Sequence, residues 1–196
     1  DRPIAEFLDL IPSPYTEDDA RLYIEHCRVG WAEGTVTNFA ITDAARGEAI
    51  GSIGVRWLEP DQGVAEVGYW VASGARGRGV CTRALRLVSR WLISDHGIER
   101  LQLRADEQNP ASRKVAEKAG FTQEGVLRSS RFNPRLGRRV VVRGALVDEV
   151  GDVREHAEPV READRDPQLL SPLVVELEGL PLPERRRGAP HVHDHV

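Results

Sequence analysis

The chain is 196 residues long, 40% hydrophobic and 30% charged, with a formal net charge of -4. That length allows one well-buried domain of about 150 residues and an extension, but not two full domains. The charge balance excludes a general binder of nucleic acid or anionic membranes, so function has to come from local sites.

Of the 27 basic residues only Lys114 and Lys118 are lysines, a bias read as coding preference rather than phosphate recognition. Cys27 and Cys81 are too few for a disulfide framework. No stretch approaches the roughly 18 apolar residues of a membrane helix and no signal-peptide core is present, so a cytoplasmic location is expected. The chain starts at Asp1 and contains no methionine, and residues upstream of it are expected.

Residues 1–15 hold Pro3, Pro12 and Pro14 around the apolar cluster Ile4, Phe7, Leu8, Leu10 and Ile11, which reads as a short helical turn and a loop. Thr16 is a good N-cap for the next helix, and Glu17, Asp18 and Asp19 complement its dipole. Ala20, Tyr23, Ile24, Cys27 and Trp31 are expected to form its buried stripe, with Cys27 as plain core, and Gly34 to stop it. Val36 to Thr42 and Ala49 to Leu58 follow as strands across a turn at Gly47, and Glu59 to Gly63 turns into a third strand, Val64 to Val71. Connections this short require an antiparallel meander.

A glycine-rich turn, Ser73 to Gly79, leads into a helix over Val80 to Asp95, whose Val80, Ala84, Leu87, Val88 and Trp91 recur at helical spacing. His96-Gly97 breaks it, and Ile98 to Ala105 alternates as a strand parallel to the third. Asn109-Pro110 opens a helix to Ala119, ended by Gly120. Phe121 to Leu127 and Arg139 to Val147 form a last hairpin. The expected fold is therefore α/β (α+β) with a mixed sheet: an antiparallel meander, a parallel strand-helix-strand pair and a C-terminal hairpin.

From Gly151 onward the character changes: six of the twelve prolines fall there. Residues 1–150 are thus expected to be the domain, and 151–196 a partly ordered extension that lays Leu173 to Leu177 against the domain or a partner. His191, His193 and His195 would share one face if extended and could bind a metal. A solvated terminal segment is the plainer reading, and no metal is expected.

The turn carries the chemistry. Glycines let several backbone N–H groups converge and the following helix dipole adds positive charge, so its natural occupant is a phosphate. A P-loop would need Lys-Ser/Thr after Gly79, where Val80-Cys81 stand instead. A dinucleotide fold could use Gly77-Arg78-Gly79, with Asp106 placed for a ribose, but Thr82 occupies the third-glycine position and a meander precedes the turn.

A coenzyme A site is the third reading. Arg76-x-x-Gly79-x-Cys81 resembles the Arg/Gln-x-x-Gly-x-Gly/Ala signature of the GNAT acyltransferase superfamily, and Gly68-Tyr69-Trp70-Val71 resembles the strand before it. Asn109 through Gly125, with Ser112, Gly120-Phe121 and Glu124-Gly125, is similar to the corresponding segment of the RimJ/RimL-like branch of ribosomal-protein N-acetyltransferases. Ile11 to Ala20 also resembles that branch's entry to its second helix. The likeness covers about residues 1–150, departs at Cys81, where glycine or alanine is usual, and lacks the family's first strand, which is expected before Asp1. Cys81 at a helix N-terminus also admits a nucleophile reading, for which the sequence supplies no His partner.

The resemblance implies an N-acetyltransferase in which a primary amine attacks acetyl-CoA directly. The coenzyme's arm would pair with backbone around Tyr69 to Val71 and hydrogen-bond Asn109, and its pyrophosphate would rest on the turn: Arg76, Gly77, Arg78, Gly79, Val80, Cys81 and Thr82. Glu66 is the candidate base, against a surface carboxylate; Ser112 stands where relatives have an acid to protonate the thiolate, against a purely structural role. Glu59, Asp61 and Glu66 would suit a cationic acceptor, a small molecule or a peptide, with a protein N-terminal amine as one candidate; a homodimer stays open. The alternatives are a non-catalytic acyl-CoA-binding regulatory module that uses the extension to bind partners, and a nucleotide-dependent oxidoreductase.

Overall fold

A computed structural model of the chain describes residues 14–133 and 138–147, with Ile4, Ile11 and Pro12. Of the expected helical turn and loop over residues 1–15, only positions 4, 11, 12, 14 and 15 are among the described residues, and the extension at 151–196 with the terminal histidines lies outside them.

Helix α1 spans Glu17–Glu33 and begins in a capping box. Thr16 Oγ1 accepts from the Asp19 amide at 3.2 Å, and the Asp19 carboxylate accepts from the Thr16 amide at 2.8 Å, so two otherwise orphaned donors are satisfied at once. Gly34 closes the helix at φ 69°. The expected buried stripe does not form: only Gly30 of α1 is buried, and Ile24 is 66% exposed. The reason is placement, since α1 packs along the edge strand β1 (Val36–Asp43) rather than across the sheet. Cys27 is accordingly half-buried, not core.

Strands β1, β2 (Glu48–Glu59) and β3 (Val64–Val71) form the meander, paired antiparallel in succession. Helix α2 (Val80–His96) crosses to β4 (Arg100–Asp106), parallel to β3. Helix α3 (Pro110–Lys118) precedes β5 (Thr122–Asn133) and β6 (Arg138–Val147). The hairpin inserts in reverse: the sheet order is β1-β2-β3-β4-β6-β5, with β6 antiparallel to β4.

Alternation gives the sheet two faces. Ile53, Val55, Ala65, Val67, Leu101 and Leu103 are buried in one core with Ala84, Leu85, Val88 and Leu92 of α2 and Ala116 of α3. Each large aliphatic side chain there contributes about 1.5–3 kcal/mol. Leu87, expected on α2's inner stripe, is 39% exposed, and Leu85 and Leu92 fill the interior instead. Asn38, Ser52, Gly54, Arg56, Glu66, Gly68, Trp70, Gln102 and Arg104 lie on the face opposite the helices, as register and burial pattern require.

One irregularity positions the site. β3 and β4 pair only where Val64–Glu66 meets Arg100–Gln102, although both strands continue. Beyond Glu66 they part, and among the described residues the edge of β3 that faced β4 has no ladder partner from Val67 to Val71. An unpaired strand edge presents N–H and C=O groups ready to accept another extended chain.

Candidate active site

The free edge of β3 runs into the turn that opens α2. Gly77 and Gly79 adopt φ 74° and 73°, left-handed values that residues with a Cβ reach only at a cost of about 1–2 kcal/mol. Gly79 is the N-cap of α2 and no side chain caps that helix, so its first-turn amides face outward without a side-chain acceptor. The arginines brace this turn. Arg76 Nε donates to the Val71 carbonyl at 3.2 Å, Arg83 Nη1 donates to the Arg78 carbonyl at 3.0 Å, and Arg78 lies 3.9 Å from the Asp43 carboxylate on β1. An amide cradle under two left-handed glycines fits an anionic phosphate, and the free edge of β3 fits an extended amide-bearing arm.

Cys81 sits in the first turn of α2, half-buried against the core. Burial pushes its thiol up to about 12, although Arg76 pulls the other way. A thiol held neutral by burial is a poor nucleophile, which speaks against the nucleophile reading alongside the lack of a His partner. Because the folded value lies above the ordinary 9.0, the neutral thiol's contribution to stability is complete below about pH 9 and is lost as pH rises toward 12. Cys81→Ala is expected to flatten the alkaline limb of a melting-temperature profile over that range.

Tyr69 and Ser112 meet across the gap between β3 and α3. Tyr69 Oη donates to the Ser112 carbonyl at 2.9 Å and lies 3.3 Å from Ser112 Oγ. Burial raises the Tyr69 phenol, with the Ser112 contact opposing, so it stays a proton donor throughout the ordinary pH range. Asn109, expected on the coenzyme's arm, uses its side-chain oxygen to cap α3, accepting from the Ser112 amide at 3.0 Å. Ser112 is therefore held at its amide, carbonyl and hydroxyl. Tyr69→Phe is expected to cost about 1 kcal/mol of stability, measured by urea unfolding with an unchanged slope.

Glu66 lies on the opposite face, where β3 and β4 part. Arg56 Nη2 donates to its Oε1 at 2.8 Å, Arg104 Nη2 to Oε1 at 2.9 Å, and Arg104 Nε stands 2.5 Å from Oε2. Gln102 Nε2 adds a bond at 3.4 Å. Both oxygens of this carboxylate are therefore engaged by guanidiniums. Two positive charges also outweigh it, so this part of the face does not present the negative charge that the acids alone suggest.

The structure thus brings Tyr69 and Val71 together with the turn and with Ser112 and Asn109, and holds Glu66 on the far face. Sequence reasoning took Tyr69 for its backbone alone and overlooked its phenol. It also overlooked Arg83, four residues beyond Gly79, and Arg56, whose partnership with Glu66 is legible once the β2–β3 hairpin register is counted. Among the described residues no group of His, Cys, Asp or Glu could hold a metal ion, and no helix is long and apolar enough to cross a membrane.

Comparison with known proteins places these features in company. A family model described as an acetyltransferase (GNAT) domain matches residues 1–122. The ribosomal-protein-serine acetyltransferase of Escherichia coli (strain K12) is 32% identical over 85 residues, 43% of this chain and 48% of that enzyme. The chain thus spans about half the length of that relative. Among solved structures, the ribosomal-protein-S5-alanine acetyltransferase from Vibrio fischeri superposes with a TM-score of 0.60 at 19% identity, covering 67% of this chain and 72% of the other. Mycobacterium smegmatis RimJ in complex with CoA-disulfide gives 0.60 at 23% identity over 66% and 60% of the two chains. At those identities the superpositions establish the fold alone.

Proposed function

We propose that this chain, which belongs to the acetyltransferase (GNAT) domain family, is an N-acetyltransferase that moves the acetyl group of acetyl-CoA to a primary amine. The single observation that carries the reading is the junction of a freed strand edge with an uncapped, doubly left-handed glycine turn. One element suits the coenzyme's extended arm and the other its pyrophosphate. A dinucleotide would use the turn but leave the parted strands without a purpose.

Bound acetyl-CoA would supply an acyl group already activated as a thioester. The chain's own work is to hold and orient. The amides from Arg76 to Thr82 would bind the pyrophosphate, and the β3 backbone from Val67 to Val71 would pair with the arm, so that the acyl carbon is presented where β3 and β4 separate. Fixing both reactants in one geometry supplies much of the rate in reactions of this kind.

Ser112 is the group we assign to protonating the departing sulfur, with Tyr69 as the positioning residue that keeps its hydroxyl in place. The attacking amine must lose its proton as well. Glu66 is less suited to that than its place on the strand suggests, because its oxygens already serve Arg56 and Arg104; water at the strand gap is the alternative acceptor. Ser112→Ala is expected to lower kcat about 10- to 100-fold with little change in KM for acetyl-CoA. Equal loss in both parameters would mark Ser112 as structural.

For the acceptor, the likeness to an enzyme named for acetylating a ribosomal-protein serine supports a protein N-terminal amine. The reading is tested by release of free thiol from acetyl-CoA with a panel of amines and N-terminal peptides. Turnover with at least one acceptor is expected, and coenzyme binding without any turnover would leave a non-catalytic acyl-CoA module.

A further inference from the structure

On the face opposite the helices, the rows of β2 and β3 form a trough. Gly54 and Gly68 are cross-strand partners and make its floor. Gly68 is exposed, with no atom of the described residues within 4 Å of the place a Cβ would take, whereas the Asn38 carboxamide lies directly over Gly54. One bank is Ser52 and Trp70, cross-strand partners. The other bank is the row of Arg56, Glu66 and Gln102, joined by Arg104. The open tile, Gly68, is two residues past the last β3–β4 pair, beside the gap where the acyl group would be presented.

The charged bank is unequal. Arg56 and Arg104 share one carboxylate, and their side chains are 53% and 39% exposed while that of Glu66 is 16% exposed. Each guanidinium has five N–H donors in a planar fork, so both keep donors beyond those that Glu66 occupies. Of the nearby charges, Arg100 is paired with Glu124 at 3.0 Å, and Asp106 Oδ1 accepts from the Gln108 amide at 2.8 Å. Glu66 thus holds two guanidiniums in fixed directions with one positive charge in excess. Such a pre-set pair recognises carboxylates by charge-assisted, bidentate bonds.

Resting on the acetyltransferase reading, we propose that this trough binds the acceptor, and that Arg56 and Arg104 select acceptors carrying a carboxylate close to the reacting amine. Two residues along a strand cover about 7 Å. An amine above Gly68 is therefore separated from the arginine row by the span between the α-amine of a peptide and the side-chain carboxylate of its second residue. The preferred class is a primary amine followed by an acid, such as a peptide N-terminus with Asp or Glu in second place, and not the polycation that the acids of the sequence suggest.

The test is calorimetric binding of three peptide amides, Ala-Glu, Ala-Gln and Ala-Lys, to the full chain saturated with coenzyme A. Ala-Glu is expected to bind at least about tenfold more tightly than its isostere Ala-Gln. The double variant Arg56→Gln, Arg104→Gln is expected to erase that difference while its affinity for coenzyme A is unchanged. Equal affinities for Ala-Glu and Ala-Gln, tighter binding of Ala-Lys, or no binding of any of the three overturns the proposal. Failure to bind coenzyme A would instead overturn the acetyltransferase reading, so the two failures are distinct.

Discussion

Replacing Gly79 by valine is expected to lower the affinity for coenzyme A at least about a hundredfold while the domain still folds. Two effects combine. Gly79 sits at φ 73° as the N-cap of α2, and a β-branched residue there costs about 1–3 kcal/mol or shifts the backbone out of the left-handed region. Any shift rotates the amides of Val80 and Cys81 away from their common focus, and each lost bond to a charged phosphate is worth about 1.5–3 kcal/mol. Losing two such bonds gives the hundredfold figure. Strain alone would appear as a lower melting temperature with binding intact, so calorimetry and thermal unfolding on the same variant separate the two. Gly79→Ala should fall between, because its Cβ would meet only Arg83 Nη1, 3.2 Å away.

The largest effect on stability is expected at Trp91. Its ring is 4% exposed and stacks edge-on against Phe39 at 5.4 Å and His96 at 4.3 Å, while Phe39 meets Trp31 in the same manner at 5.9 Å. This chain of rings joins α1, β1 and α2, and it is the main apolar anchor for a helix that otherwise buries little. Trp91→Ala removes about 3–5 kcal/mol from a total stability of about 5–15 kcal/mol. The urea midpoint should fall accordingly with an unchanged slope. Since α1 depends on Phe39 through Trp31, amide exchange in α1 should quicken beyond the global change.

Elements were legible in the sequence to the extent that local chemistry specifies them. Thr16 with Asp19, Gly34, Asn109-Pro110 and Gly97 act on their own neighbours, and the helix ends they mark lie within a residue or two of expectation. Two short connections likewise dictated the meander. The burial of α1 was not legible, because its apolar spacing is the same whether the helix lies across a sheet or along its edge. Nor was the early parting of β3 and β4, which depends on pairing between segments separated by a whole helix and leaves no mark in either strand.

The candidate site divides in the same way. The turn from Arg76 to Thr82 is contiguous, so its glycines and the helix that follows made it readable as a candidate anion cradle. Tyr69 and Ser112 are 43 residues apart, and their hydrogen bond exists only because α3 folds over the end of β3. Glu66 was read singly as a candidate base; its neighbours Arg56 and Arg104 come from two other strands and change what its carboxylate can do.

An amide-resolved NMR titration of the full chain with coenzyme A tests the central claim most directly. Saturable shifts should concentrate in two places, the backbone of Val67 to Val71 and the turn from Arg76 to Thr82, with NADP producing neither. Shifts confined to the turn, or produced equally by NADP, would contradict the assignment of the parted strands and glycine turn as one coenzyme A site.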